Sequence, residues 1–299
     1  MRIRDSLQGK GVGGLGCKEF ANSILSIARV FFPPTSLQLC PTSTERSHRA
    51  FNLKIGLPCF VVRDRTWCLT YTFLMSRKLG FWLLWVSVLG YAFLLAPPDQ
   101  PDTIELIKNL STKKWEGINP LIIALFNIMG IWPLIYSCLM FIDGRQQKLP
   151  AWLFATASFG VGAFALLPYL ALRQPNQEFT GSKGIFLKLL DSRWLGIVLT
   201  LGTLGLLSYG LLKGDWGDFI EQWQTSRFIH VMSLDFCLLC LLFPALLGDD
   251  MARRGLKKNS QLFWAVALLP LIGPLLYLCV RPPLPDSRQE VATRSQQPA

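Results

Sequence analysis

The chain has 299 residues, of which 51% are hydrophobic and 16% charged, with a formal net charge of +11 and a mean hydropathy of +0.35. A soluble domain carries about 25% charged residues, so this composition excludes an ordinary soluble fold and points to a membrane protein. Residues 1–74 hold ten Lys/Arg against four Asp/Glu, and residues 75–299 hold twenty against fifteen. The second set lies in short loops between apolar runs, where basic side chains meet lipid headgroups. It forms no basic stripe interleaved with aromatics, which excludes nucleic acid as a partner.

In chain order, residues 1–74 come first and have no sustained period of 2 or 3.6. The stretch "EFANSILSIARVFF" allows one short amphipathic helix. The segment is basic and holds twelve Ser/Thr. Three readings stay open: an organelle transit segment, a regulatory extension, or translated leader with the start at Met75, where "MSRK" precedes the first apolar run. Function is therefore read from Met75 onward.

Crossing ~30 Å of hydrocarbon takes roughly 20 mostly apolar residues. Six stretches meet or approach this: Leu79–Ala96, Pro120–Ile142, Ala151–Leu172, Trp194–Leu212, Phe228–Leu247 and Leu262–Val280. Pro97-Pro98 stops the first, and Trp152, Trp194 and Trp264 sit near the ends of the third, fourth and sixth, as in an interfacial belt. "GSKGIFLKLLDSRW" and "GDWGDFIEQWQTSR", before the fourth and fifth, read as short surface helices. The expected fold is an all-α, polytopic bundle of six transmembrane helices over residues 75–283, with a disordered tail over 284–299. With six alternating crossings from Met75, nine Lys/Arg fall on one side and eleven on the other, which decides no orientation.

Ionisable groups inside lipid are costly and therefore informative. Asp235, seven residues past Phe228, is predicted to lie ~10 Å into the fifth stretch. It is a candidate proton carrier, cation ligand or acid/base group, or else a structural carboxylate. His230 is five residues earlier, a turn of about 140°, so the two do not share one face of a regular helix. Asn127 is a third candidate, for an interhelical hydrogen bond or a ligand contact. Acidic helix ends at Asp143, and at Asp249 with Asp250, oppose the helix dipole. Arg145, Arg253 and Arg254 follow them and are read as local partners at the headgroup level. Cys237 and Cys240 form a mid-helix C-x-x-C pair without a second pair, and no metal site is assigned. "SFGVGAFA" offers Ser158 and Gly162 as a close-packing face. No phosphate loop, zinc signature or nucleophile motif is present in the sequence, and no catalytic residue is assigned.

The two acidic ends occupy corresponding places in a 3+3 division. Arg173 is 30 residues after Asp143, and Arg281 is 31 after Asp250. Three crossings per half would give an inverted repeat, an arrangement used by some secondary transporters.

Residues 117–176 and 226–255 resemble a family of uncharacterised multi-pass proteins of cyanobacteria and chloroplasts. That resemblance covers residues 75–283 and implies a thylakoid, plasma or plastid membrane, with photosynthetic pigment–protein complexes as partners alongside the bilayer. A fainter likeness is to the neoxanthin-synthase-like plastid membrane family, over Phe228-Ile229-His230, Asp235, Asp249/Asp250 and Pro270 to Pro274. It implies a carotenoid as ligand; no cofactor is otherwise evident. The functional expectation is a membrane protein that handles a lipophilic pigment or assists photosynthetic complex formation. The alternatives are a small secondary transporter and a carotenoid isomerase-like enzyme.

Overall fold

The computed structural model describes residues 64–177, 179, 183–256 and 260–285. Of the segment 1–74, with its transit, regulatory and leader readings, residues 1–63 lie outside the described residues, as does the tail expected over 284–299 from 286 onward. At its start Leu284 is buried and its N–H donates to Asp191 Oδ2 at 3.2 Å, which corrects the expected disorder there. The chain divides into two units, Met1–Arg77 and Lys78–Ala299, and the account below concerns the second.

The described residues are helical, with no strand. Helix α1 (Asp64–Gly90) runs through Met75 and continues as a π turn over Tyr91–Leu95 before Pro97-Pro98 stops it. Next comes α2 (Thr103–Ser111), an amphipathic helix with Glu105 in its first turn and Leu110 buried. Helix α3 (Pro120–Asp143) starts on Asn119, whose side chain accepts from Leu121 N, with Pro120 where its missing N–H costs nothing. The third apolar stretch forms α4 (Ala151–Val161) and α5 (Ala163–Leu172), and the short α6 (Ile185–Leu190) follows. Then come α7 (Arg193–Lys213), α8 (Trp216–Thr225) capped by Asp215, and α9 (Arg227–Leu242) leading across Pro244 into α10 (Pro244–Arg253). Last are α11 (Ser260–Leu268) and α12 (Ile272–Val280).

Four segments are long and apolar enough to cross a membrane: Met75–Leu95, Pro120–Asp143, Arg193–Lys213 and Arg227–Arg253. The expectation of six through-going helices is corrected at the third and sixth stretches. In a straight helix, residues 147 and 174 would stand ~40 Å apart. Instead Gln147 Nε2 donates to Gln174 O at 3.0 Å, and Gln174 N donates to Gln147 Oε1 at 3.0 Å. The Phe154 and Tyr169 rings, ~22 Å apart on a straight helix, have centroids 5.6 Å apart. So α4 runs inward, turns at Gly162, and α5 returns to the end it left.

The sixth stretch behaves the same way. It breaks at Pro270-Leu271, with Leu271 at φ +61, and Gly273 packs so tightly on Val266 that a Cβ there would overlap its carbonyl oxygen. Arg254, just before this hairpin, donates to Pro282 O just after it. At ~1.5 Å per residue each hairpin arm is about 14–16 Å long, half of a bilayer core.

The element order therefore repeats. A long helix (α1 or α7) leads to a short amphipathic one (α2 or α8). A second long helix (α3 or α9–α10) ends in acid, and a folded-back hairpin (α4–α5 or α11–α12) closes in Tyr-Leu-x-x-Arg, at Tyr169–Arg173 and Tyr277–Arg281. Each half contains two long helices, not three, so the halves run in the same direction. The 3+3 inverted arrangement is corrected to a parallel one, and both hairpin roots lie at one end of the bundle, here called the acidic end. At the opposite end Arg227 Nε donates to Pro97 O, and Asn119 Nδ2 donates to Asp215 O and Asp218 Oδ2. Helix α3 is central, largely buried, and packs on α4, α7, α9 and α10. Helix α7 approaches it closely at Gly210, against Ala124, and approaches α12 at Gly196, against the Leu278–Cys279 backbone.

Candidate functional site

The fold-back at Gly162 leaves the amino end of α5 deep in the bundle, where the first-turn N–H groups have no helical partner. An unmet N–H in an apolar interior costs several kcal/mol. Asp235, from the middle of α9, meets it: Ala163 N donates to Asp235 Oδ1 at 2.8 Å. A carboxylate at this position also faces the positive end of the α5 dipole. Gly162 sits at φ +51, and a Cβ there would overlap the Asp235 carboxyl group. Only glycine permits both the turn and the carboxylate. The packing role expected for Gly162 is thus replaced by a more exacting one, the tip of a hairpin.

The next residue is held as well. Pro168 has no N–H to offer the carbonyl four residues back, which frees Phe164 O. Trp85 Nε1 of α1 donates to that oxygen at 2.9 Å. The tip is thus gripped by a donor from α1 and an acceptor from α9. Asp235 is 6% exposed and stands eight residues, ~12 Å, from the start of α9.

His230 lies ~7.5 Å nearer the opposite end and has other neighbours. Its Nδ1 is 2.9 Å from Trp223 O and its Nε2 is 2.7 Å from Tyr91 Oη. Trp223 O accepts only, so Nδ1 carries a proton, and in the neutral ring Nε2 accepts from the tyrosine. The imidazole stacks on the Trp223 ring, with centroids 4.5 Å apart, and the Tyr91 ring centroid is 5.7 Å away. The structure does not bring His230 and Asp235 together. Asn127 joins neither, since its Nδ2 donates to Ile123 O in its own helix rather than across helices. Cys237 and Cys240 are free thiols. Among the described residues no group of three or more His, Cys, Asp or Glu is placed to hold a metal.

The acidic end carries the second constellation. Asp143 pairs with distant residues rather than with its neighbour Arg145, whose guanidinium lies over the Phe179 ring. Arg173 donates to both Asp143 oxygens, Nε to Oδ2 at 2.9 Å and Nη2 to Oδ1 at 2.8 Å. Tyr169 Oη donates to Oδ2 at 2.7 Å, and Arg253 Nη1 to Oδ1 at 3.1 Å. Arg173 also pairs with Asp249 across the repeat. The second half builds the counterpart. Asp250 accepts from Arg254 Nε at 2.8 Å and from Tyr277 Oη at 2.7 Å, with Arg281 Nη1 3.6 Å away. Arg254 reaches on to Asp191 at 2.7 Å, which also holds Lys183 at 3.0 Å. Burial pushes the Asp191 carboxyl up, but Arg254, Lys183 and the Leu284 N–H outweigh it and hold the group below the ordinary 3.8.

Of the local pairs expected from the sequence, Asp250 with Arg254 forms, and Asp143 takes Arg173 and Arg253 instead of Arg145. The exposed headgroup pairs are corrected to a buried network that joins the two halves. Arg173 and Arg281, marked in the sequence by their spacing from the acidic ends, are members, and Tyr169 and Tyr277 are members that the spacing did not identify. The shared Tyr-Leu-x-x-Arg is the signal that could have found them. Trp85 and Tyr91 had no sequence signal, because their partners lie 79 and 139 residues away. A scan of protein-family models and searches of curated proteins and of solved structures return no match to the chain.

Proposed function

We propose that the chain is a small secondary transporter built from two parallel repeats, with Asp235 as its coupling carboxylate. The observation that carries this reading is the bond between Asp235 and the amino end of a half-length, folded-back helix deep in the bundle. Broken helices whose ends meet ionisable groups near the bilayer midplane are how transporters build sites in lipid, and intramembrane acids are functional sites by default. Protonation of Asp235 would remove the charge that the α5 amino end attracts and loosen the tip, coupling proton entry to movement of the hairpin. The cross-half ion pairs at the acidic end would then act as the closed gate of one state.

Ten of the described Lys and Arg from Lys78 onward gather at the acidic end: Lys78, Arg145, Lys148, Arg173, Lys183, Lys188, Arg193, Arg253, Arg254 and Arg281. Five lie at the opposite end: Lys108, Lys113, Lys114, Lys213 and Arg227. The positive-inside rule supports the acidic end as the cytoplasmic or stromal face. Six crossings had left this undecided.

The test is reconstitution of the full chain in liposomes loaded with a pH-sensitive dye, with a panel of organic acids, amino acids and sugars added outside. The expected result is proton movement dependent on one class of solute, abolished in Asp235→Asn while the hairpin stays folded. No solute-dependent proton movement in the wild-type protein would overturn the reading. The pigment-handling expectation makes a different prediction: deletion of the chain changes the carotenoid profile or the pigment–protein complexes of the source cell, with no transport defect.

A further inference from the structure

The acidic-end network is not closed by its own members. Arg253 has a fully buried side chain, and its Nη1 donates to Asp143 Oδ1 and Asn176 O, while its Nε and Nη2 have no hydrogen-bond partner. These two nitrogens form one edge of the guanidinium, the edge that matches two oxygens of a carboxylate or phosphate. The Asp250 carboxylate has Oδ1 4.0 Å from Nε, and it already accepts from Arg254 and Tyr277. Arg281, with Nη1 3.6 Å from Asp250 Oδ2, also has an unpartnered buried Nε. The described ionic groups of the network are Arg173, Arg253, Arg254, Arg281 and Lys183 against Asp143, Asp191, Asp249 and Asp250. Counted over the described residues, the positive groups outnumber the negative by one. An orphaned buried donor costs about 1–3 kcal/mol, and more when charged, so the unpartnered donors call for an added acceptor.

We infer that the Arg253 edge is a binding site for an oxyanion of the phosphate class, lodged between the two hairpin roots, with Arg281, which flanks the same Asp250 carboxylate, as a second cation. Arg253 ends a 27-residue membrane-length segment, so the site lies at the depth where lipid phosphodiesters and dissolved phosphate are both at hand. Bound there, the anion joins residues of both halves and stabilises the closed acidic end. This inference does not depend on transport.

The experiment measures thermal unfolding of the full chain in neutral detergent. One arm adds inorganic phosphate at constant ionic strength, with chloride as control; the other adds phosphatidylglycerol, with phosphatidylcholine as control. The expected result is a saturable rise in the unfolding midpoint of about 3 °C or more, lost in Arg253→Lys, which keeps the charge but not the edge. Response to phosphate identifies a free anion, and response to phosphatidylglycerol alone identifies a lipid headgroup; either supports the site. No response in both arms, or an undiminished one in Arg253→Lys, overturns it. If Arg253→Lys does not fold, Arg281→Lys serves, with about tenfold weaker apparent affinity expected and an unchanged affinity counting against the site.

Discussion

The two hairpins share a frame and differ at their tips. Both hang from an acidic helix end, both fold back within a stretch of about 20 apolar residues, and both return to a Tyr-Leu-x-x-Arg whose tyrosine donates to the acid that began the turn. The first turns on Gly162 and delivers its inner helix end to Asp235. The second turns on Pro270 and Leu271, the latter in a left-handed conformation that glycine would adopt without strain. The equivalent place on α3, fifteen residues before its terminal acid, is Ile128 and not a carboxylate. The repeated scaffold thus carries a carboxylate at the tip of one hairpin and not at the equivalent place of the other.

The largest expected effect breaks that asymmetry directly. Gly162→Ala places a Cβ onto the Asp235 carboxyl group in an unfavourable backbone conformation. It should destabilise the protein by about 3–5 kcal/mol in denaturant titrations of the detergent-solubilised chain. Combining it with Asp235→Ala should recover at least about 1 kcal/mol as a coupling energy. Gly273→Ala in the second hairpin, which has only backbone against it, should show no coupling to Asp235→Ala. Additivity of Gly162→Ala with Asp235→Ala would mean that the first tip is not built around the acid.

A step down in size, the two root arginines should differ. Arg173 grips Asp143 through two donors and also engages Asp249, so Arg173→Ala strands buried carboxylates at a cost of about 3–5 kcal/mol. Arg281 stands 3.6 Å from Asp250 and leans on the Leu190 carbonyl, so Arg281→Ala should cost about 1–3 kcal/mol. Equal losses in parallel unfolding curves would erase the distinction between the roots.

The smallest effect is one of pH, and it falls on the second root, which Asp191 anchors through Arg254 and Leu284 N. The Asp191 pKa is lower in the folded protein than the ordinary 3.8. Its contribution is therefore fully present above about 4 and lost as pH falls through the lower folded value. The wild-type unfolding midpoint should drop more steeply below about pH 4 than that of Asp191→Asn. Parallel pH profiles would show that Asp191 adds nothing to stability.

Much of this frame is readable from residue order, and the reasons for the rest are physical. Apolar length locates every membrane-level segment, and the 30- and 31-residue spacings from acid to arginine already hint at the duplication. Length cannot tell a straight helix from one folded at its middle, because 22 apolar residues have the same composition either way. Gly162 and Pro270 at mid-stretch are the local signs of folding back, yet membrane helices also tolerate such residues as kinks. Asp235 is conspicuous as a charge in an apolar run, but its partner is a backbone amide created by the turn, and no side-chain motif encodes that. The ion pairs of Asp143 join residues 30 and 110 positions apart, so a reading that looks for partners within one helix turn finds Arg254 for Asp250 but takes Arg145 for Asp143 and misses Arg173.

The central claim is that both ends of the third apolar stretch lie on one face of the membrane. Gln147→Cys and Gln174→Cys, each in a cysteine-free version of the full chain reconstituted in oriented vesicles, test it with a membrane-impermeant thiol reagent. The account predicts that both positions react from the same side, and that the double variant forms a disulfide on mild oxidation. Labelling of the two positions from opposite sides would contradict it.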